Sequence, residues 1–136
     1  MWSFQKGAPP ARPAHATTKA LGDAAEDAAL AYLQRQGLVL VQRNFRTPGR
    51  GGGEVDLIMR ERDGTLVFVE VRRRASARQG GAGASITGVK QRRIVFAARH
   101  FLLRLGSEPP CRFDVVLLED GRIDWLRAAF DASAAI

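Results

Sequence analysis

The chain has 136 residues, enough for one sizeable core and too few for two. Apolar residues make up 46% and charged residues 26%, so it is neither low-complexity nor wholly disordered; no apolar run nears the ~20 residues of a membrane span, and one cysteine, Cys111, excludes an intrachain disulfide and a thiolate-rich zinc site. The net charge is +7, with eighteen arginines among the twenty-one basic residues, which favours a phosphate-bearing partner without establishing one.

Residues 1–18 hold Gly7, Pro9, Pro10 and Pro13, lack a secretory apolar stretch, and read as a flexible tail. The expected location is therefore the cytoplasm. A helix is predicted over 19–36, capped by Thr17 or Thr18 and stopped at Gly37. Its apolar stripe is Leu21, Ala25, Ala28, Ala29 and Tyr32; Glu26 borders the stripe, and Gly22 leaves the backbone open to close approach. Residues 38–46 predict a strand, and 47–53 (TPGRGGG) a turn or flexible loop. Over 54–60 the pattern alternates, with Glu54, Asp56, Ile58 and Arg60 on one face and Val55, Leu57 and Met59 on the other. Asp63-Gly64 signals a hairpin, and 65–72 (TLVFVEVR) is the strongest strand. The glycine-rich stretch 75–85 predicts a loop. Thr87 can cap a second helix that runs to Leu105 and stops at Gly106, with Val89, Ile94, Val95, Ala97, Ala98, Phe101, Leu102 and Leu105 as a broad buried face. After Pro109 and Pro110, residues 112–118 predict a strand, 120–121 a tight turn, and 122–126 a shorter strand; 131–136 look frayed. The order is α-β-β-β-α-β-β, one α/β domain over 19–130 with a mixed sheet flanked by helices.

The charges are unevenly placed. Residues 71–107 hold nine basic residues and no acid, while Glu54, Asp56, Glu61, Asp63 and Glu70 cluster just before them. Such a basic tract can hold phosphates, or merely solvate a surface. Glu54 and Asp56 share one strand face, and Glu70 and Arg72 share another. If the hairpin loop is three residues centred on Asp63, Asp56 lies opposite Glu70 and Glu54 opposite Arg72; a two-residue loop puts the sets on opposite faces. The apolar pattern favours the first register. It also puts Phe68 and Ile58 on the carboxylate face, which must then be covered, and the first helix is the expected cover. Two opposed carboxylates repel, and a divalent cation with hard oxygen ligands removes that cost. Phosphodiester cleavage uses such a site. The plain alternative is a salt-bridge ladder, Glu54–Arg72 with Asp56–Arg74.

The motifs G-E-V-D-L-I, V-F-V-E-V-R-R-R, K-x-x-R-I and R-F-D-V-V, preceded by G-D-A-A-E-D-x-A-x-x-Y-L-x-x-x-G and R-N-F-R, resemble the bacterial YraN family of uncharacterised proteins over residues 19–118. That family is similar to the restriction-endonuclease-like PD-(D/E)xK nucleases, and among them to archaeal Holliday-junction resolvases. The resemblance implies an αβββαβ core. It implies catalytic roles for Asp56, Glu70 and Arg72, and a Mg²⁺ or Mn²⁺ site on Glu26, Asp56 and Glu70. It also matches Arg74 and Lys90 to basic positions downstream. The motif's lysine is Arg72 here, which stays protonated and cannot act as a general base, although it can neutralise a phosphate. Lys90, on the second helix, is another source of the amine.

Three functions compete. The first is a metal-dependent nuclease on DNA, with branched structures as one substrate; Arg73, Arg74, Arg78, Lys90, Arg92 and Arg93 would grip the backbone. The second is a nucleic-acid-binding module that has lost catalysis. The third is a basic adaptor for an acidic protein partner. Pairing with a second copy is a further expectation, because the second helix has a broad apolar face. His100, Cys111 and Trp125 read as structural, and Gly51–Gly53 lacks the context of a phosphate loop.

Overall fold

Two threonines set where the helices begin. The computed structural model describes residues 17–74 and 86–135. The Thr17 hydroxyl accepts from the Ala20 N–H (3.0 Å) and opens α1 (Thr18–Arg35); the Thr87 hydroxyl accepts from the Lys90 N–H (3.2 Å) and opens α2 (Gly88–Leu105). Gly37, at φ +100°, follows α1, and Gly106, at φ +77°, closes α2. Glycine takes this left-handed conformation without a Cβ clash.

Five strands form one mixed sheet in chain order: β1 (Val39–Arg46), β2 (Glu54–Arg60), β3 (Leu66–Arg74), β4 (Cys111–Glu119) and β5 (Arg122–Phe130). β1 to β3 are an antiparallel meander, β4 runs parallel to β3 across the α2 connection, and β5 returns antiparallel. This is the α/β, αβββαβ arrangement that the resemblance implies, with one more strand. The hairpin pairs Leu57 with Val69, Ile58 with Phe68 and Met59 with Val67, the first of the two registers considered. Asp63 fixes the turn by accepting from the Thr65 N–H at 2.9 Å.

The sheet is covered on both sides. Leu57, Met59, Val67 and Val69 pack with Ala29 and Leu33 of α1. Ile58, Leu66 and Phe68 pack with Ile94, Ala98 and Phe101 of α2. β3 is thus buried on two faces, which is why it reads as a continuous apolar run. The cover over Ile58 and Phe68 is α2, not α1 as expected: Phe68 meets Phe101 edge-on at 6.2 Å and stacks with Phe113 at 5.6 Å. The buried face of α2 is narrower than its pattern suggests. Val89 is 60% and Leu105 40% exposed, because they lie at the two ends of the helix.

β5 runs four residues past its predicted end. Asp114, fully buried, accepts from the Trp125 indole N–H (2.9 Å), the Ala128 N–H (2.9 Å) and Arg112 Nε (3.0 Å). The β4–β5 register shifts between Phe113 and Val115, and Ala128 takes φ +50° there. One carboxylate therefore holds an irregular stretch onto the sheet, and hydrogen-bonded charge of this kind is stable when buried. Beyond it, Ala132–Ala135 form a short 3-10 turn rather than a frayed end. The stretch 75–85 lies outside the described residues, as does most of the expected tail.

The two glycines singled out in the motifs differ. Gly22 has nothing within 4 Å of where a Cβ would stand, so no element approaches it. Gly53 does the opposite: a Cβ there would lie 2.1 Å from the Arg93 carbonyl and 2.7 Å from the Ala97 N. The loop is closed at its base by the Thr47 hydroxyl, which accepts from the Gly53 N–H (2.8 Å), and by the Thr47 N–H to the Gly53 carbonyl (3.0 Å). Gly53→Ala should push α2 off the sheet and lower stability by about 1–3 kcal/mol or more. Gly22→Ala should raise it by about 0.5–1 kcal/mol, because Gly in a helix interior is unfavourable relative to Ala. Denaturant unfolding of the two variants checks both signs.

Candidate active site

The site forms where two strands part. The paired residues of β2 and β3 run from Arg60↔Leu66 to Leu57↔Val69. At the next step a side chain replaces the backbone: the Val71 N–H donates to the Asp56 carboxylate at 2.8 Å. The alternation slips at the same point. Val55 packs on the α2 side and Leu57 on the α1 side, although strict alternation would put them together, as expected from sequence. The slip directs Asp56 into the fork between the strands, beside Glu70.

Glu70 is only 5% exposed. The Asp56 charge acts on it, and it faces Lys90, whose ammonium lies 3.3 Å from Glu70 Oε2. Lys90 stands in the first turn of α2, so the Thr87 cap and the tight contact at Gly53 both fix its approach. Burial, then the neighbouring Asp56 charge, push the Glu70 carboxyl up to about 8; Lys90 opposes them. Burial also raises Asp56, against the Val71 N–H, Glu70 and Lys90, which favour its ionised form. Both shifts favour the protonated form of the pair.

This pair fits a hard divalent cation that keeps several waters. A dication held by the two carboxylates would offset the charge that burial and proximity disfavour. Glu26 is half-way in. The Asp56 charge reaches it, and burial raises its carboxyl, but its Oε1 lies 3.1 Å from Arg43, which also meets Asp27 at 3.0 Å. Among the described residues no three His, Cys, Asp or Glu side chains converge as a metal-binding group. The geometry is a two-carboxylate site with Glu26 behind it.

The basic residues separate into groups. Lys90 is turned to the carboxylates. Arg93 meets Glu54 (3.2 Å) and the Gly52 carbonyl (3.3 Å). Arg74 faces Glu119 at 3.6 Å, both side chains 10% exposed, which puts it against β4 instead of in solvent. Arg72 is half-buried with contacts of its own; Arg73 and Arg92 are exposed; Arg78 lies outside the described residues. The pairings of Glu54 with Arg93 and of Arg74 with Glu119 come from α2 and β4, so strand spacing alone could not find them.

A glutamate whose carboxyl is raised on folding stabilises the fold while protonated. That contribution is fully present below the ordinary glutamate range and is gone once pH has risen through about 8. The metal-free protein should therefore lose stability across this window, and Glu70→Gln should flatten the loss. Unfolding midpoints of both proteins from pH 5 to 9 in EDTA check it.

The sequence model of Uncharacterised protein family UPF0102 matches residues 25–118. A UPF0102 protein of Acidovorax sp. (strain JS42) is 65% identical over 127 residues, 93% of each chain. One of Paracidovorax citrulli (strain AAC00-1) is 70% identical over 116 residues, 85% of this chain and 86% of that one. Among solved structures, "Crystal structure of SSO0001" aligns at TM-score 0.43 and 15% identity, over 89% of this chain and 57% of that one. With the family match covering most of its length, the chain belongs to UPF0102, the YraN family of uncharacterised proteins.

Proposed function

We propose that the protein is a metal-dependent nuclease acting on DNA phosphodiesters, with Mg²⁺ or Mn²⁺ held by Asp56 and Glu70. The supporting observation is the buried carboxylate pair at the strand fork with an ammonium 3.3 Å away. A bound dication would lower the acidity threshold of a water and offset charge on the phosphate. In the reaction the water oxygen adds to phosphorus and one ester P–O bond breaks. The leaving oxygen takes up a proton, and the proton of the attacking water goes to solvent. Asp56 and Glu70 would hold the cation through their carboxylate oxygens. Arg72, two residues past Glu70, neutralises the phosphate, and the exposed Arg73 and Arg92 meet neighbouring phosphates. Glu26 acts from behind, holding Arg43 and adding negative charge near Asp56.

A second reading has its own observation. Arg72 stands where the motif carries lysine, and a chain that has lost catalysis would still bind nucleic acid through the same arginines.

The discriminating experiment is cleavage of single-stranded, duplex, flapped and four-way DNA in Mn²⁺, Mg²⁺ and EDTA. Cutting by the wild type should require the metal. Asp56→Ala and Glu70→Ala should each lower it by about 100-fold or more, roughly 2.7 kcal/mol of barrier. Asp56→Ala should still bind DNA in EDTA, with a log–log salt slope that falls by about one phosphate contact in Arg73→Ala. Binding without cleavage in any metal would favour the second reading, and cleavage by Asp56→Ala at the wild-type rate would refute the site.

A further inference from the structure

Two basic residues invite comparison at the carboxylate pair. Arg72 follows Glu70 by two residues on β3, is half-buried, and has contacts of its own. Lys90 comes from a different element, the first turn of α2, and its Nζ lies 3.3 Å from Glu70 Oε2. Its charge acts on both Asp56 and Glu70. The fold invests in its position: the Thr87 hydroxyl holds the Lys90 backbone N–H, and Gly53 lets the next turn of α2 lie against the start of β2. Its side chain is 36% exposed, so the ammonium borders solvent on one side and the buried carboxylates on the other.

We propose that Lys90 is a cationic catalytic residue of this site, its ammonium meeting the attacking water and the scissile phosphate beside Asp56 and Glu70. This rests on the nuclease reading for its catalytic part. Its placement part, an ammonium at the metal-binding carboxylates, stands without it. The chemistry suits the residue: an ammonium is a compact point charge with three donors that can serve water, carboxylate and phosphate together, whereas a guanidinium spreads its charge over a planar fork. The ammonium acts as a fixed charge and forms no bond to substrate.

The chain has three lysines, Lys6, Lys19 and Lys90, so ¹³C-dimethylation of the amines, which keeps their charge, gives few NMR signals. Loss of one signal in Lys90→Arg assigns it. Substoichiometric Mn²⁺ should broaden the Lys90 signal in the wild type and leave it sharp in Asp56→Ala. In single-turnover cleavage at saturating DNA, Lys90→Met should lose about 100-fold. Far-UV circular dichroism and the unfolding midpoint show that each variant is folded. Cleavage by Lys90→Met within about threefold of wild type would overturn the catalytic role. A Lys90 signal that Mn²⁺ leaves sharp would overturn the placement. If the wild type cuts nothing, the nuclease reading and the catalytic role fail together, and the broadening alone decides whether Lys90 lies at a metal site.

Discussion

The hydrogen bond from the Val71 N–H to the Asp56 carboxylate decides how the rest of the site is arranged. It takes the place of a ladder bond just where β2 and β3 part, and it draws a carboxylate into the gap. Glu70 is brought against it by the register of the hairpin. Two buried acids in one fork resist ionising together, and the upward shift of both carboxyls, set first by burial, is the physical sign of that conflict. Paired residues built only for stability rarely keep such a cost; sites that bind or react do.

The two helices serve the fork from opposite sides of the sheet. α1 buries the Leu57, Met59, Val67 and Val69 face and places Glu26 within range of the Asp56 charge. α2 buries the Phe68 face and places Lys90 on Glu70. The separation of tasks depends on one absent side chain. Because Gly53 has no Cβ, the loop before β2 lies directly on α2, and Lys90 comes within reach of the strand that carries Glu70. Asp114 performs the purely structural counterpart across the sheet, where Trp125, Ala128 and Arg112 satisfy its buried charge and leave none over for chemistry.

Much of this was legible in the residues. The caps Thr17 and Thr87 and the stops Gly37 and Gly106 are local, so sequence places both helices closely. The hairpin register, Leu57 with Val69 and Ile58 with Phe68, followed from which alternation buries apolar side chains. The failures are all non-local. The slip at Asp56 moves Val55 to the other face, and no periodicity reports a side chain replacing a ladder bond. The extension of β5 depends on Asp114, which in sequence is one more polar residue in a strand. The cover over Phe68, and the pairing of Lys90 with Glu70, Arg93 with Glu54 and Arg74 with Glu119, follow from where α2 and β4 lie in space. For Lys90 the sequence offered another source of the amine, and only the placement of α2 shows that it meets Glu70.

The central proposal is that Asp56 and Glu70 act as one unit that gives up a proton on taking a divalent cation. Calorimetric titration of Mn²⁺ into the metal-free protein, in buffers of different ionisation enthalpy, counts the metal bound and the protons released together. The account predicts one Mn²⁺ per chain, proton release at pH 7 that fades as pH rises past about 8, and loss of binding in both Asp56→Asn and Glu70→Gln. Binding that is unchanged in either variant, or that releases no proton at pH 7, would contradict it.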